Sequence, residues 1–317
     1  MKTRRPLLKT TALALLLLPA AARAWGPVGH RAVAIVAQKR LTAPALRAIR
    51  DIFGKDIAIA DVANCADQVK YGDADCAGVL KLKQDKVSSA WHFIDIPIAA
   101  SPSLTPNQLR RLCPKNSQNG SGNCVVGQIQ YELQALRDPA ASRVRKKTAL
   151  VYLIHFVGDE HQPLHCADDG DYGGNAKKIA FLGINANLHS LWDDAMSPDL
   201  LADELARWKK GVDGGSAAWI AKEKEGGIEL AKTLEADLAS KDTSSWIKTG
   251  ADELVVEAAR ESFLIAKTDV YPAYAQDDDQ KLGAAYQARM RPIAYDRLEH
   301  AGVRLAYLLN KVLGQAD

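Results

Sequence analysis

His155-Phe156-Val157-Gly158-Asp159-Glu160-His161-Gln162-Pro163-Leu164-His165 is the stretch of this chain on which the fold reading turns. Residues four apart stack on one face of an α-helix, so His155 and Asp159 can aim an imidazole and a carboxylate at one point. The same His-x-x-x-Asp spacing recurs at His189 and Asp193. His161 lies off the shared face, which suits a structural or ligand-supporting role. Five of the seven histidines, His30, His92, His155, His165 and His189, are set with Asp67, Asp159 and Asp193 in a sparse arrangement that makes sense as a ligand cluster. Zinc favours such nitrogen and oxygen donors. Eight side chains are too many for one ion.

Outward from this stretch the periodicity is helical. Apolar spacing predicts helices over 28–41, 125–137 and 143–157, the last two broken at Asp138-Pro139. Thr42 is the expected cap of a helix with Pro44 in its first turn. The pattern continues over 56–70, and again over 187–196, 198–210, 227–238, 245–270 and 281–313. Asp168 to Gly174 is turn-rich and reads as a solvated turn, because it lacks the closing bidentate glutamate of a calcium loop. Lys177 to Leu182 forms one arm of a short hairpin that returns near Ile184. No strand-helix alternation suggests a parallel sheet, so the expected fold class is all-α, mainly helical, with a short β-hairpin.

The first 24 residues read as a secretory signal peptide: Lys2, Arg4, Arg5 and Lys9, then a largely apolar run from Leu8 to Leu18, then Ala22-Arg23-Ala24 as the cleavage site. That run is shorter than the roughly 20 residues a membrane-spanning helix needs. Residues 25–317 are read as one exported domain with no stable membrane insertion, periplasmic or secreted, and a monomer is favoured. Cleavage would free the α-amine of Trp25, whose pKa near about 7.7 to 8.0 lets a cation use it as a ligand.

The formal charge of +3 misleads, since removing the five basic residues of the leader leaves 36 basic against 38 acidic side chains, about −2. A broad basic surface for duplex DNA is therefore not indicated. Cys65, Cys76, Cys113, Cys124 and Cys166 would meet an oxidising compartment. Spacing makes Cys113 with Cys124 the easiest pair and Cys65 with Cys76 the next. Cys166 is left as a free thiol, as a partner of Cys65, or as a zinc thiolate. Asn119-Gly120-Ser121 is a glycosylation sequon.

Six motifs carry a family resemblance. They are Trp25-Gly26-x-x-Gly29-His30, Ala63-x-x-Ala66-Asp67, Trp91-His92-Phe93-Ile94-Asp95, the His155–His165 stretch, Gly173-Gly174-Asn175, and Leu188-His189-Ser190-Leu191-Trp192-Asp193. In this order they resemble the zinc-dependent, single-strand-specific nucleases of the S-one/P-one family, secreted nucleases and 3'-nucleotidases. Cys65 departs from the pattern, where many relatives carry tryptophan. The resemblance implies the phospholipase C/nuclease-type helical fold and three Zn²⁺ per chain. Asp67, His92, His155 and Asp159 would hold one ion. Asp159 would bridge to a second, bound by His30 with the amine and carbonyl of Trp25, and His165, His189 and Asp193 would hold the third.

Phosphodiester hydrolysis gives that many cations a purpose. Two ions roughly 3.5 to 4 Å apart can share a water as bridging hydroxide nucleophile, while a third stabilises the leaving 3'-oxygen. The substrates expected are single-stranded DNA, RNA and nucleotides, cut to 5'-phosphorylated products, with possible 3'-nucleotidase activity. Asp67, Asp95 and Lys70 are catalytic candidates, Asp95 as an orienter of water or of a ligand. Lys70, one turn past Asp67, is expected on phosphate, with a solvated lysine as the alternative. Phe93 is expected to stack on a base and Asn175 to reach substrate. A flexible strand can bend into a concave site while its bases stack on aromatic rings. Two competing readings are a zinc phospholipase C, a distant relative with the same scaffold, and a protein in which zinc contributes folding energy only.

Overall fold

In chain order, helix α1 (Gly26–Gln38) and α2 (Ala43–Phe53) are followed by a 3-10 turn (Ile59–Asp61), α3 (Cys65–Tyr71) and the hairpin β1 (Ala74–Cys76) and β2 (Leu80–Leu82). A 3-10 turn (Lys86–His92), α4 (Pro106–Arg111), α5 (Val125–Arg137) and α6 (Arg143–Glu160) come next. The hairpin β3 (Lys178–Phe181) and β4 (Ile184–Asn187) leads into α7 (Leu188–Asp194). The chain then forms α8 (Ala217–Leu238), α9 (Ala251–Ile265), a π-helical turn (Ala266–Val270), α10 (Tyr271–Ala275) and α11 (Ala284–Leu313). This computed structural model describes residues 25–115, 122–194, 217–276 and 282–314. The leader, the sequon and the expected helix over 198–210 lie outside the described residues. The mainly helical fold with a short hairpin is as expected, and β3 pairs antiparallel with β4 from Lys178 opposite Asn187 to Phe181 opposite Ile184.

Helix α6 is the spine. Ser142 caps it by accepting from Arg145 N at 3.2 Å. From Ala149 to Glu160 every residue is buried, because α6 is covered on all sides by α5, α1, α3 and α11. One continuous apolar core joins these elements. Gly158 is required within it, since a Cβ there would stand 2.7 Å from the His30 ring.

Three expectations are corrected. The continuous helix over 56–70 breaks after the turn at Ile59–Asp61 and restarts only at Cys65. At the break the Ala63 carbonyl accepts from His155 Nδ1 at 2.7 Å, a bond that an unbroken helix would have claimed for its own backbone. The helix over 245–270 begins only at Ala251, after a 3-10 turn capped by Asp242, and ends in the π-helical turn. The Asp168–Gly174 turn is not simply solvated. Asp171 is buried and takes Gly174 N at 2.9 Å and the Tyr271 hydroxyl at 2.9 Å, while Asp168 takes the N–H groups of Asp171 and Gly173.

Disulfides join Cys65 to Cys76 and Cys113 to Cys124, and Cys166 is a buried free thiol. The first pair ties α3 to β1. The hairpin β1–β2 was not expected. Its turn uses left-handed backbone at Ala77 and Gly78, steadied by Gly78 N donating to Asp75 Oδ1 at 2.7 Å.

Candidate metal centre

Four separate segments meet around Asp159. Helix α1 brings His30, α3 brings Asp67, the 3-10 turn before Phe93 brings His92, and α6 brings His155 and Asp159 itself. His30 Nε2 stands 3.2 Å from Asp159 Oδ1, and His92 Nδ1 stands 2.8 Å from Oδ2 of the same carboxylate. His155 Nε2 is 3.3 Å from Asp159 Oδ2 and 3.5 Å from Asp67 Oδ1. The His30 and His155 rings stack at 3.8 Å. All five groups are buried. Both nitrogens of His30 and Oδ1 of Asp159 lack a hydrogen-bond partner, an expensive arrangement for polar atoms away from water unless something else binds them.

The second cluster is His165, His189 and Asp193. Backbone pairing of the 94–98 segment with 165–168 sets it beside the first. Ile94 N donates to His165 O, Asp168 N to Ile96 O and Ile98 N to Asp168 O, all at 2.8 to 2.9 Å. His165 Nδ1 donates to His92 O at 2.7 Å, and His189 Nδ1 donates to Gly173 O at 2.6 Å. A carbonyl can only accept, so each Nδ1 holds the proton. Burial holds both rings neutral, with pKa values lowered to about 3 for His165 and about 4 for His189. Each Nε2 is therefore a bare lone pair, and the two lone pairs face each other at 3.1 Å. Such a contact is repulsive unless a cation lies between. Two nitrogens on one tetrahedral zinc stand about 3.3 Å apart. Asp193 Oδ2, 3.4 Å from His189 Nε2 and without a hydrogen bond, completes the donor set.

Three groups that could hold a metal result: His30 with His155 and Asp159, Asp67 with His92 and His155, and His165 with His189 and Asp193. His155 is shared between the first two, a junction that pairwise spacing in the sequence does not reveal. Electrostatics favour cations here. Burial pushes the Asp67 carboxyl up, but Lys70 and the neighbouring histidines outweigh it and hold it well below the usual range. Burial again opposes charge at Asp159, where His155 and His92 prevail. His155 is raised, because Asp159 and Asp67 overcome its desolvation, whereas burial and Lys70 lower His92 to about 4. Burial and the nearby Asp194 raise Asp193 well above a normal carboxyl. Lys70 is not a solvated lysine: its side chain is 6% exposed and its Nζ lies 2.5 Å from Asp67 Oδ1.

A cleft of about 260 Å³ opens onto both clusters. Lys70, His92, Phe93, Asp95, His165, Asn175 and His189 all line it, so the four substrate-side candidates converge on the candidate metal centre. Asp95 is exposed at its rim, with a pKa raised by partial burial and by Asp168. Three further lining residues, Ser89, Tyr71 and Tyr172, were not expected from the sequence, and the two tyrosines are 50% and 80% exposed. Tyr172 has a left-handed backbone at φ 58°, strain that a tyrosine tolerates only when its surroundings impose it. Tyr71 follows the candidate Lys70 and Tyr172 precedes the motif residue Gly173, and that adjacency was the available signal.

A family model described as S1/P1 Nuclease matches residues 25–314. The chain belongs to the S1/P1 nuclease family. As a member it is a nuclease, a hydrolase. It is 28% identical to Endonuclease 2 of Arabidopsis thaliana over 301 residues, covering 92% of this chain and 91% of that protein. It is 28% identical to Nuclease S1 of Aspergillus oryzae over 299 residues, covering 92% of each. Nuclease P1 of Penicillium citrinum aligns at 33% identity over 182 residues, 56% of this chain and 60% of that protein.

The remaining singled-out residues of this nuclease play other parts. Trp25 is buried, and its carbonyl accepts from His30 N at 3.3 Å. His161 caps α6, gives its Nδ1 proton to Val157 O and sets its Nε2 against Arg304, as expected of an off-face histidine. Cys166 donates to Glu160 O and belongs to none of the three ligand groups. Among the described residues no helix is long and apolar enough to cross a membrane.

Proposed function

We propose that this member of the family is an exported, monomeric, three-zinc phosphodiesterase. It hydrolyses RNA and single-stranded DNA to 5'-phosphorylated products and removes 3'-phosphates from nucleotides. The observation that carries the reading is the facing pair of Nε2 atoms at 3.1 Å on His165 and His189, a contact that a bound cation reconciles. The ligand sets are Asp67, His92, His155 and Asp159; His30 and Asp159 with the amine and carbonyl of Trp25; and His165, His189 and Asp193. The family match begins at Trp25, in keeping with a mature chain that starts there. When bound, zinc supplies a water acidified towards neutral pH and Lewis-acid contact for phosphate oxygens.

The chain's own groups do the rest. The Lys70 ammonium at the cleft wall neutralises a phosphate oxygen as negative charge builds in the transition state. The Asp95 carboxylate at the rim orients water, and its raised pKa makes it a better proton acceptor than an ordinary aspartate. Phe93, Tyr71 and Tyr172 offer ring faces to bases, and Asn175, held by its own amide on Tyr172 O at 2.8 Å, contacts the nucleotide. Stacking tolerates any base, so sequence preference is weak. A duplex hides its base faces and cannot bend into a cleft of this size, which selects single strands. The test incubates zinc-loaded mature protein with single-stranded DNA, duplex DNA and phosphatidylcholine, each with and without chelator. Chelator-sensitive cleavage of the single strand is expected, and chelator-sensitive cleavage of lipid alone would overturn the reading in favour of a phospholipase C.

A further inference from the structure

Gln162 is fully buried between the two halves of the centre, with both ends of its carboxamide in use. Its Oε1 accepts from Leu164 N at 2.6 Å, and its Nε2 donates to Asp193 Oδ1 at 2.7 Å. Amide orientation is often ambiguous, but here it is fixed: the Leu164 N–H can only donate, so the oxygen faces it and the NH₂ must face Asp193. The donated hydrogen bond occupies one oxygen of Asp193 and leaves the other, Oδ2, without a hydrogen bond and turned to the His165–His189 pair.

We propose that Gln162 is a positioning residue that makes Asp193 a one-oxygen ligand, presenting Oδ2 and withholding Oδ1. This rests on the reading of His165, His189 and Asp193 as a cation site. A carboxylate free to rotate would share its charge between two orientations, and only one of them meets both imidazoles. Gln162 selects that one with a neutral donor, adding no second negative charge beside an aspartate already crowded by Asp194. Supporting hydrogen bonds of this kind fix the orientation of metal ligands.

The test counts zinc per chain in the holoenzyme by elemental analysis after graded chelator dialysis, with the cobalt-substituted absorption spectrum as a second readout. Gln162→Met, which keeps the length and removes the donor, should weaken one ion about ten- to a hundredfold and leave the others in place. Asp193→Asn should weaken the same ion by more than about a hundredfold, because Gln162 forces the new amide to show its NH₂ to the imidazoles. The double variant Gln162→Glu with Asp193→Asn exchanges donor for acceptor. The glutamate accepts from Leu164 N and from the asparagine NH₂, turns the asparagine carbonyl towards the histidines, and should recover at least about tenfold of the lost affinity.

A merely structural Gln162 predicts no such recovery, and a double variant as poor as Asp193→Asn alone would overturn the proposal. So would a Gln162→Met enzyme that holds all its ions like the wild type. Should Gln162→Met not fold, the exchange pair still decides the matter, since it keeps the Leu164 contact. Unmutated enzyme that holds no ion at this triad would sink the cation reading itself, and that result shows before any substitution is made.

Discussion

Lys70 offers a test that separates what holds the centre together without metal from what holds it together with metal. Its Nζ lies 2.5 Å from Asp67 Oδ1, with side chains 6% and 7% exposed. In the metal-free protein Lys70 is a principal counter-charge to Asp67. Removing one partner of a buried pair typically costs about 3–5 kcal/mol, because the other charge is left uncompensated. Lys70→Met in chelator-stripped protein should therefore lose about that much stability, or roughly 5–15 °C of melting temperature for a chain of this size.

With zinc bound, the ion neutralises Asp67 and the ammonium is no longer needed for that purpose, so the loss should shrink to about 1 kcal/mol or less. The thermodynamic cycle then closes on affinity: a difference of about 3 kcal/mol means that Lys70→Met binds zinc roughly a hundredfold more tightly than wild type. Turnover should nevertheless fall, since phosphate loses its cationic partner. The sign with pH follows from Asp67. Its folded pKa is depressed, so the stability it contributes to stripped protein is present above its unfolded pKa and lost as pH falls through the folded value. Urea unfolding with and without chelator, joined to a zinc titration, measures every leg. Equal losses in the two forms, or weaker zinc binding by the variant, would refute the argument.

Two further outcomes are expected. Tyr172→Ala should raise KM for single-stranded DNA about tenfold or more with little change in kcat, since stacking on one base is worth about 1–3 kcal/mol; an unchanged KM in steady-state kinetics would remove Tyr172 from the substrate path. Zinc binding should release protons, because His155 and Asp193 both have raised pKa values and must shed their protons to ligate, so affinity rises with pH and is lost as pH falls. Calorimetry in buffers of different ionisation enthalpy measures the release, and a buffer-independent enthalpy would contradict it.

What the sequence made legible follows side-chain periodicity. Helix α5 runs from Val125 to Arg137 as read, and α6 starts at Arg143 as read, because Ser142 caps it and Asp138-Pro139 separates the two. The hairpin at Lys178–Asn187 and the eight histidine and aspartate side chains that meet in the candidate metal centre were legible for the same reason: each rests on residue type and spacing. What escaped depends on where the backbone places its carbonyls. Ala63 O, His92 O and Gly173 O fix the proton on Nδ1 of His155, His165 and His189, yet nothing in the side chain of Ala63 announces that the helix must break there to release its carbonyl. The Gly173 carbonyl is available only because its backbone takes φ 60° in a space where a Cβ would lie 2.5 Å from Leu164 O. A histidine between a backbone acceptor and an open site has its lone pair aimed before any ion arrives. The irregular segments around α6, where periodicity falls silent, are thus the part of the fold that leaves the Nε2 of three histidines free to meet a cation.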